Sequence, residues 1–261
     1  NSDFFIHSLK LKIFYFIYFL IVTSNLFLNG GRTGQLAFAV SIFVVGFMNI
    51  KNKFIGFISI MLLFTAIFYT AYNYSPVFKK RFDQATSEVT KISQNVKDKY
   101  AGSFGHRLAA WKEAGKIVSE HLFIGVGIGD NMQALQKSIE ENQYDKHYTK
   151  ALKFMTAYHY HNGYIQVLVE LGIIGFILYL SIFYYILKLK IDDKELSNFR
   201  YTFVIVYSIA CLVEPLFILQ FPLALFTLFI GLFICFSHIG QDEVKILSRS
   251  KMKLERVKNE S

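Results

Sequence analysis

Long apolar runs separated by short basic segments make up most of this chain. Six stretches, 13–28, 35–50, 54–72, 163–187, 201–219 and 222–238, are nearly free of charge and approach or reach the length needed to cross a hydrocarbon core of about 30 Å. Between the third and fourth runs the pattern changes. Residues 76–100 are polar with helical spacing and predict a solvated helix. From Ser103 onward Leu108, Trp111, Gly115 and Val118 recur at helical intervals, which predicts an amphipathic helix with Ser103 as its N-cap. A further helix is predicted at 131–142, entered through a tight glycine turn.

Charge sets an orientation. Lys10 and Lys12 precede the first run, Lys51 and Lys53 join the second to the third, and Lys188, Lys190, Lys194 and Arg200 join the fourth to the fifth. Lys245, Arg249, Lys251, Lys253, Arg256 and Lys258 follow the sixth, whereas the turns at 29–33 and 220–221 carry only Arg32. The positive-inside rule therefore puts both termini in the cytoplasm and the stretch 73–160 on the outer face. The division expected is 1–72 as the first three spans, 73–160 as the outer loop, 161–238 as the last three spans and 239–261 as a basic cytoplasmic tail.

Composition agrees with this reading: 53% of the 261 residues are hydrophobic, 28 are Phe, and mean hydropathy is +0.36. One water-soluble domain lacks the polar surface to cover that much apolar mass. The formal charge of +9 is accounted for largely by the topological segments and their contact with anionic lipid headgroups. No basic stripe accompanies a nucleic-acid reader motif, so nucleic acid is not an expected partner. The chain opens on Asn1 with no signal-peptide pattern, and upstream spans, or processing, are expected.

Candidate chemistry concentrates outside the spans. Gly125-Val-Gly-Ile-Gly129 lacks the Gly-Lys-Ser/Thr of a phosphate loop and has Asp130 where a dinucleotide fingerprint needs its third glycine. Cys211 and Cys235 both fall within spans, which excludes a disulfide framework or a Cys-x-x-Cys site. His159 and His161 lie on opposed sides of a helix but on one face of an extended strand. With no acid at ligand spacing beside them, no metal is expected.

Arg107 is expected in the first turn of its helix, where a cation is unfavourable unless an anion such as a phosphate is held beside it. A bridge to Asp98 or Glu113 is the competing reading. Ionisable groups are scarce within the spans. Glu170 lies nine residues after His161, about 13 Å deeper at the helical rise, and reads as a helix-packing partner or as lining a polar cleft reached from outside, the two readings that Glu214 also has. Glu214, followed by Pro215, falls in the outer third of the fifth span.

Taken in order, Gly31-Arg32-Thr33, Gly105-His-Arg107-Leu-x-x-Trp111, His121-Leu-Phe-Ile-Gly-Val-Gly-Ile-Gly129, His161-Asn162-Gly-Tyr164 and Glu170-Leu-Gly172 resemble the C-terminal part of the O-antigen ligase and polymerase superfamily. The resemblance covers about residues 30–190. It departs at Gly31, where members often carry Ser, and at Leu122, where they often carry Pro.

The resemblance implies an all-α integral membrane protein of the bacterial inner membrane, similar to the GT-C type of membrane glycosyltransferase, with its active site facing the periplasm. It further implies transfer of a glycan from a polyprenyl diphosphate to a sugar hydroxyl of lipid A-core in lipopolysaccharide biosynthesis, with inversion and without metal or cofactor. Under it Arg32 and Arg107 hold the diphosphate and His161 is the general base, with Asn162, Tyr164, Trp111 and Glu214 lining the substrate site. O-antigen polymerase and protein O-oligosaccharyltransferase are the alternatives within the superfamily. A transporter or flippase is the alternative outside it, but such proteins place ionisable groups near the midplane in paired repeats.

Overall fold

The computed structural model describes residues 2–28 and 32–237, with side chains from Lys10 onward except at positions 32, 33, 36 and 49. Gly31, most of the 29–33 turn and the basic tail at 239–261 lie outside the described residues, as does the side chain of Arg32. Among the described residues there are ten α-helices and no strands. The helices are α1 (Ser2–Leu28), α2 (Arg32–Asn49), α3 (Lys53–Tyr74), α4 (Pro76–Ser93), α5 (Gly102–Glu120), α6 (Asn131–Glu141), α7 (Lys146–Met155), α8 (Gly163–Lys188), α9 (Lys194–Cys211) and α10 (Gln220–Ser237). The chain divides into two compact units, 1–108 and 109–261.

In the first unit α1 packs on α2 and α4, α2 on α3, and α3 on α4. Local chemistry places the breaks. The Asn52 side chain accepts from the backbone N–H groups of Phe54 (3.1 Å) and Ile55 (3.2 Å), capping α3. Ser75 ends α3 through its N–H to the Ala71 carbonyl (2.9 Å) and opens α4 by accepting from the Phe78 N–H (3.3 Å), with Pro76 at the first helical position. Phe16, Ile21 and Leu62 stand more than 60% exposed on α1 and α3. Such surfaces suit lipid, where the helix satisfies its own backbone and apolar side chains face hydrocarbon.

The second unit has two cores. One, from α8, α9 and α10, gathers Tyr179, Phe183, Ile186, Val204, Tyr207, Cys211, Phe226 and Phe233. The other is built from small and medium residues of α5, α6 and α7, including Ala109, Ala110, Leu135, Leu152 and Met155. Buried Arg200 of α9 donates to the Ile186 and Leu189 carbonyls at the end of α8, satisfying acceptors that a helix C-terminus leaves unpaired.

Among the described residues, four helices are long and apolar enough to cross a membrane: Lys10–Leu28, Lys53–Tyr74, Gly163–Lys188 and Gln220–Ser237. Of the six runs expected, the second supplies only a shorter apolar helix, Ala37–Met48. The fifth is α9, which begins among Lys194, Glu195 and Arg200 and stops at Cys211 instead of continuing to 219. The connection expected at 220–221 is therefore the segment 212–219, which includes a 3-10 turn at Leu216–Ile218. Pro215 explains the stop, because its ring lacks an N–H and disfavours helical geometry in the residue before it.

The predicted N-cap of α5 also differs. The helix begins at Gly102, so Ser103 sits inside it, and the orphan N–H of Phe104 is taken by the Glu88 carboxylate at 2.7 Å.

The glycine turn has a partner that its sequence did not reveal. α8 loses helical geometry at Gly172 (φ 61°, ψ −164°), and the segment 122–127 fills the break. Val126 and Gly127 donate to the carbonyls of Val169 (2.9 Å) and Glu170 (3.0 Å), and Ile173 and Ile174 donate to those of Leu122 (2.8 Å) and Phe123 (3.3 Å). A side chain at Gly172 would come within 2.5 Å of Phe123 backbone, and one at Gly125 within 2.4 Å of Glu170 backbone. Both glycines are needed for this approach as well as for their positive φ.

Candidate functional site

The site grows from the four residues ahead of α8. Tyr160 is fully buried and His159 and His161 are partly so, an alternation typical of extended chain. The two imidazoles consequently share a side, with ring centroids 4.2 Å apart. Of the two arrangements the spacing left open, the rings take the one on a common side, although the segment is not part of a sheet.

Both polar groups of the Tyr160 backbone are held. The Trp111 indole N–H donates to its carbonyl at 2.6 Å, and its own N–H donates to the Gln166 side-chain oxygen at 3.4 Å. Gln166 in turn donates to Glu170 at 2.6 Å, and Glu170 also takes the Gly129 backbone N–H. Glu170 thus links the glycine turn to the extended segment that carries the histidines.

His161 adopts φ 47°, one of two non-glycine residues with positive φ among those described. Such a conformation costs free energy and persists only where surrounding contacts hold it. Asn162 follows as the N-cap of α8, its side-chain oxygen accepting from the N–H groups of Tyr164 and Ile165, each at 3.0 Å. The left-handed step turns the His161 ring toward Glu214. Nδ1 lies 3.0 Å from Oε1 and 3.2 Å from Oε2. A carboxylate only accepts, so Nδ1 carries the proton, and in the neutral ring Nε2 presents a lone pair.

Glu214 lies beyond the end of α9, in the turn before Pro215, rather than within a span. Tightened bonds from Leu212 to Ile209 and from Val213 to Ala210 close the helix, and the glutamate then reaches the histidines. Its other oxygen lies 3.6 Å from His159 Nε2.

The donor atoms of His159, His161 and Glu214 all fall within 4.8 Å of one another, a set of the kind that holds zinc. No acid at ligand spacing was apparent in the sequence because Glu214 arrives from 53 residues away. The tautomer argues against a metal ligand at His159. Its Nδ1 accepts the His161 backbone N–H at 3.1 Å, so neutral His159 carries its proton on Nε2, which then has no lone pair to offer.

Of the residues singled out from sequence, the second unit brings together His161, Glu214, Asn162, Tyr164 and Trp111. Tyr164 donates its hydroxyl to the Ser208 carbonyl at 2.8 Å, so it, Asn162 and Trp111 each make a hydrogen bond to the scaffold. Arg32 opens α2 and Arg107 is half-buried on α5; both belong to the first unit. Arg107 is the sixth residue of α5, one turn before Trp111, so it stands in the second turn and not the first as expected.

Glu113, one of the acids weighed for Arg107, is fully buried and accepts from Ser138 (2.6 Å), Tyr144 (2.6 Å) and Tyr148 (3.1 Å), with Lys116 at 3.2 Å. Burial pushes its carboxyl up, but the four donors together outweigh burial and hold it below the ordinary value. Lys116 is raised in turn, chiefly by its bond to the Tyr144 hydroxyl. Sequence reasoning missed two parts of this unit: the contribution of His159, whose signal was the Tyr-His-Tyr-His alternation, and helix α7.

The family model for O-antigen ligase matches residues 17–180, well over half of the chain. Proteins named "putative polysaccharide ligase" from Rickettsia prowazekii and Rickettsia typhi are each 27% identical to it, over 192 and 191 residues. Each alignment covers 71% of this chain and 42% of the relative. A protein of the same name from Rickettsia conorii is 31% identical over 110 residues, covering 41% of this chain and 26% of the relative. The chain spans about two fifths of the length of the first two.

Proposed function

From the premise that this chain belongs to the O-antigen ligase family, we propose that it moves a glycan from a polyprenyl diphosphate donor to a sugar hydroxyl of lipid A-core. The reaction is a metal-independent, inverting transfer at the periplasmic side of a bacterial inner membrane. The fold is of the GT-C kind with six membrane passes, 73–160 forming the outer loop and both termini of this chain cytoplasmic.

The observation that carries this reading is the contact between His161 and Glu214. With Nδ1–H held by the carboxylate, the Nε2 lone pair accepts the proton of the attacking hydroxyl, and Glu214 stabilises the imidazolium that results. The hydroxyl oxygen then bonds to the anomeric carbon as the bond to the diphosphate oxygen breaks, with inversion. The leaving group departs as an anion. Arg32 and Arg107 are assigned to it, since guanidinium forks match phosphate oxygens and stay charged. The driving force resides in the donor, so no nucleotide is consumed.

The test uses the full-length protein in liposomes with labelled polyprenyl diphosphate-linked glycan and lipid A-core. Label should appear on lipid A-core and should vanish with His161→Ala at normal membrane levels. Near wild-type transfer by that variant would remove His161 from the mechanism. Label on a second polyprenyl-linked glycan, or on a protein, would reassign the acceptor to the polymerase or oligosaccharyltransferase reading.

A further inference from the structure

We propose that His159 is a positioning residue for the base, acting through its Nδ1 ring nitrogen; the inference rests on the assignment of His161 above. At φ 47° the backbone N–H of His161 is used by neither a helix nor a sheet ladder, and His159 Nδ1 accepts it at 3.1 Å. That bond closes a small ring across Tyr160, whose own carbonyl and N–H are pinned by Trp111 and Gln166. The left-handed conformation of the base is thereby fixed from its amide, while Asn162 fixes it from the other side by capping α8.

The second nitrogen stands beside the pair without a hydrogen bond to it. Because Nδ1 accepts, Nε2 of neutral His159 carries the proton, and this N–H lies 3.6 Å from Glu214 Oε2 while His161 Nδ1 lies 3.0 Å from Oε1. His161 Nδ1 also lies 3.2 Å from Oε2, so both carboxylate oxygens are met by His161 and neither is hydrogen-bonded by His159 Nε2. His159 abstracts no proton; it determines where the group that does so is held.

The two nitrogens are separable by substitution. Asn places an acceptor at the position of Nδ1 and nothing at Nε2, whereas Gln reaches the Nε2 position and leaves the backbone N–H unmet. In the full-length protein, His159→Ala should lower kcat for transfer about tenfold to a hundredfold, the scale of a misplaced reacting group, with KM for the donor little changed. His159→Asn should recover most of that loss and His159→Gln should not. Nitrogen NMR of protein carrying labelled histidine reads the tautomers without any substrate. It should report Nε2–H at His159 and Nδ1–H at His161 in the wild type, with the His161 signal kept in His159→Asn and lost in His159→Gln.

Equal kcat for the Asn and Gln variants, or an unchanged His161 signal in His159→Gln, overturns the inference. Correct tautomers in a wild-type protein that transfers no glycan would instead overturn the proposed function and leave the positioning intact.

Discussion

Replacing Glu214 with Gln isolates the charge opposite the proposed base, His161. The amide keeps the length and planarity of the carboxylate, and its oxygen still accepts from His161 Nδ1–H, now held at 3.0 Å from Oε1. What disappears is the negative charge that favours the imidazolium formed during proton transfer. A hydrogen bond to a charged group contributes about 1.5–3 kcal/mol, and the side chains of His161 and Glu214 are only 22% and 20% exposed, so water screens the pair in part. Converted to rate, that range is roughly a 10- to 150-fold loss of kcat. The assay is a single-turnover transfer of labelled glycan to lipid A-core in proteoliposomes at saturating donor, which reads chemistry apart from binding. Glu214→Asp should do as badly, because one methylene fewer withdraws the carboxylate from the ring. A Gln variant that inserts normally and turns over within twofold of wild type would refute the reasoning, since the carboxylate would then be a structural contact and not part of the base.

Arg32→Lys and Arg107→Lys should each retain membrane insertion yet fail to restore transfer, because an ammonium lacks the planar fork that meets two phosphate oxygens; full activity in either would release that residue from the donor site. Glu113 contributes stability that is present above pH 4.5 and lost as the pH falls through its lower folded value. Melting temperature in detergent should therefore drop on acidification below that range, and Glu113→Gln should flatten the drop while costing about 1.5–3 kcal/mol at neutral pH. Gly172→Ala should destabilise by about 1–3 kcal/mol or more, from a strained φ and the 2.5 Å approach to Phe123 backbone. Exposed, helical Gly115, with nothing within 4 Å, should gain about 0.5–1 kcal/mol from Ala in the same melting assay.

The long apolar periods of α1, α3, α8 and α10 were legible because a span needs only a continuous run, and continuity is visible residue by residue. α9 was not, since its end is decided by Pro215 three residues after the cap and the apolar residues 216–219 continue the run past the break. His161, the base proposed above, stood out in the sequence as His161-Asn162-Gly163 ahead of an apolar helix, a short local word. Its acid was visible only as an ionisable residue near a span boundary. Nothing in the spacing could pair Glu214 with a histidine 53 residues earlier, because that contact is made by the packing of α8 on α9. The contact His159 makes was hidden for another reason: it depends on a backbone torsion at the next residue but one, and torsions of non-glycine residues leave no mark in composition. The expected first-turn position of Arg107 failed because α5 starts at a glycine of φ 88° and takes its cap from Glu88 instead of from its own Ser103.

The break in α8 at Gly172 has a practical consequence for anyone moving this segment into another protein. Residues 122–127 act as a splint, supplying two donors and two acceptors to a helix that has given up its own ladder there. Cut from that splint, 163–174 would carry bare amides and carbonyls into a low-polarity setting and would re-form as an uninterrupted rod, pulling Glu170, Gln166 and the histidine segment out of register. A chimera that exchanges the histidine word with a relative must therefore carry 121–129 along with 159–174 as one cassette, and loops trimmed between them should end outside both.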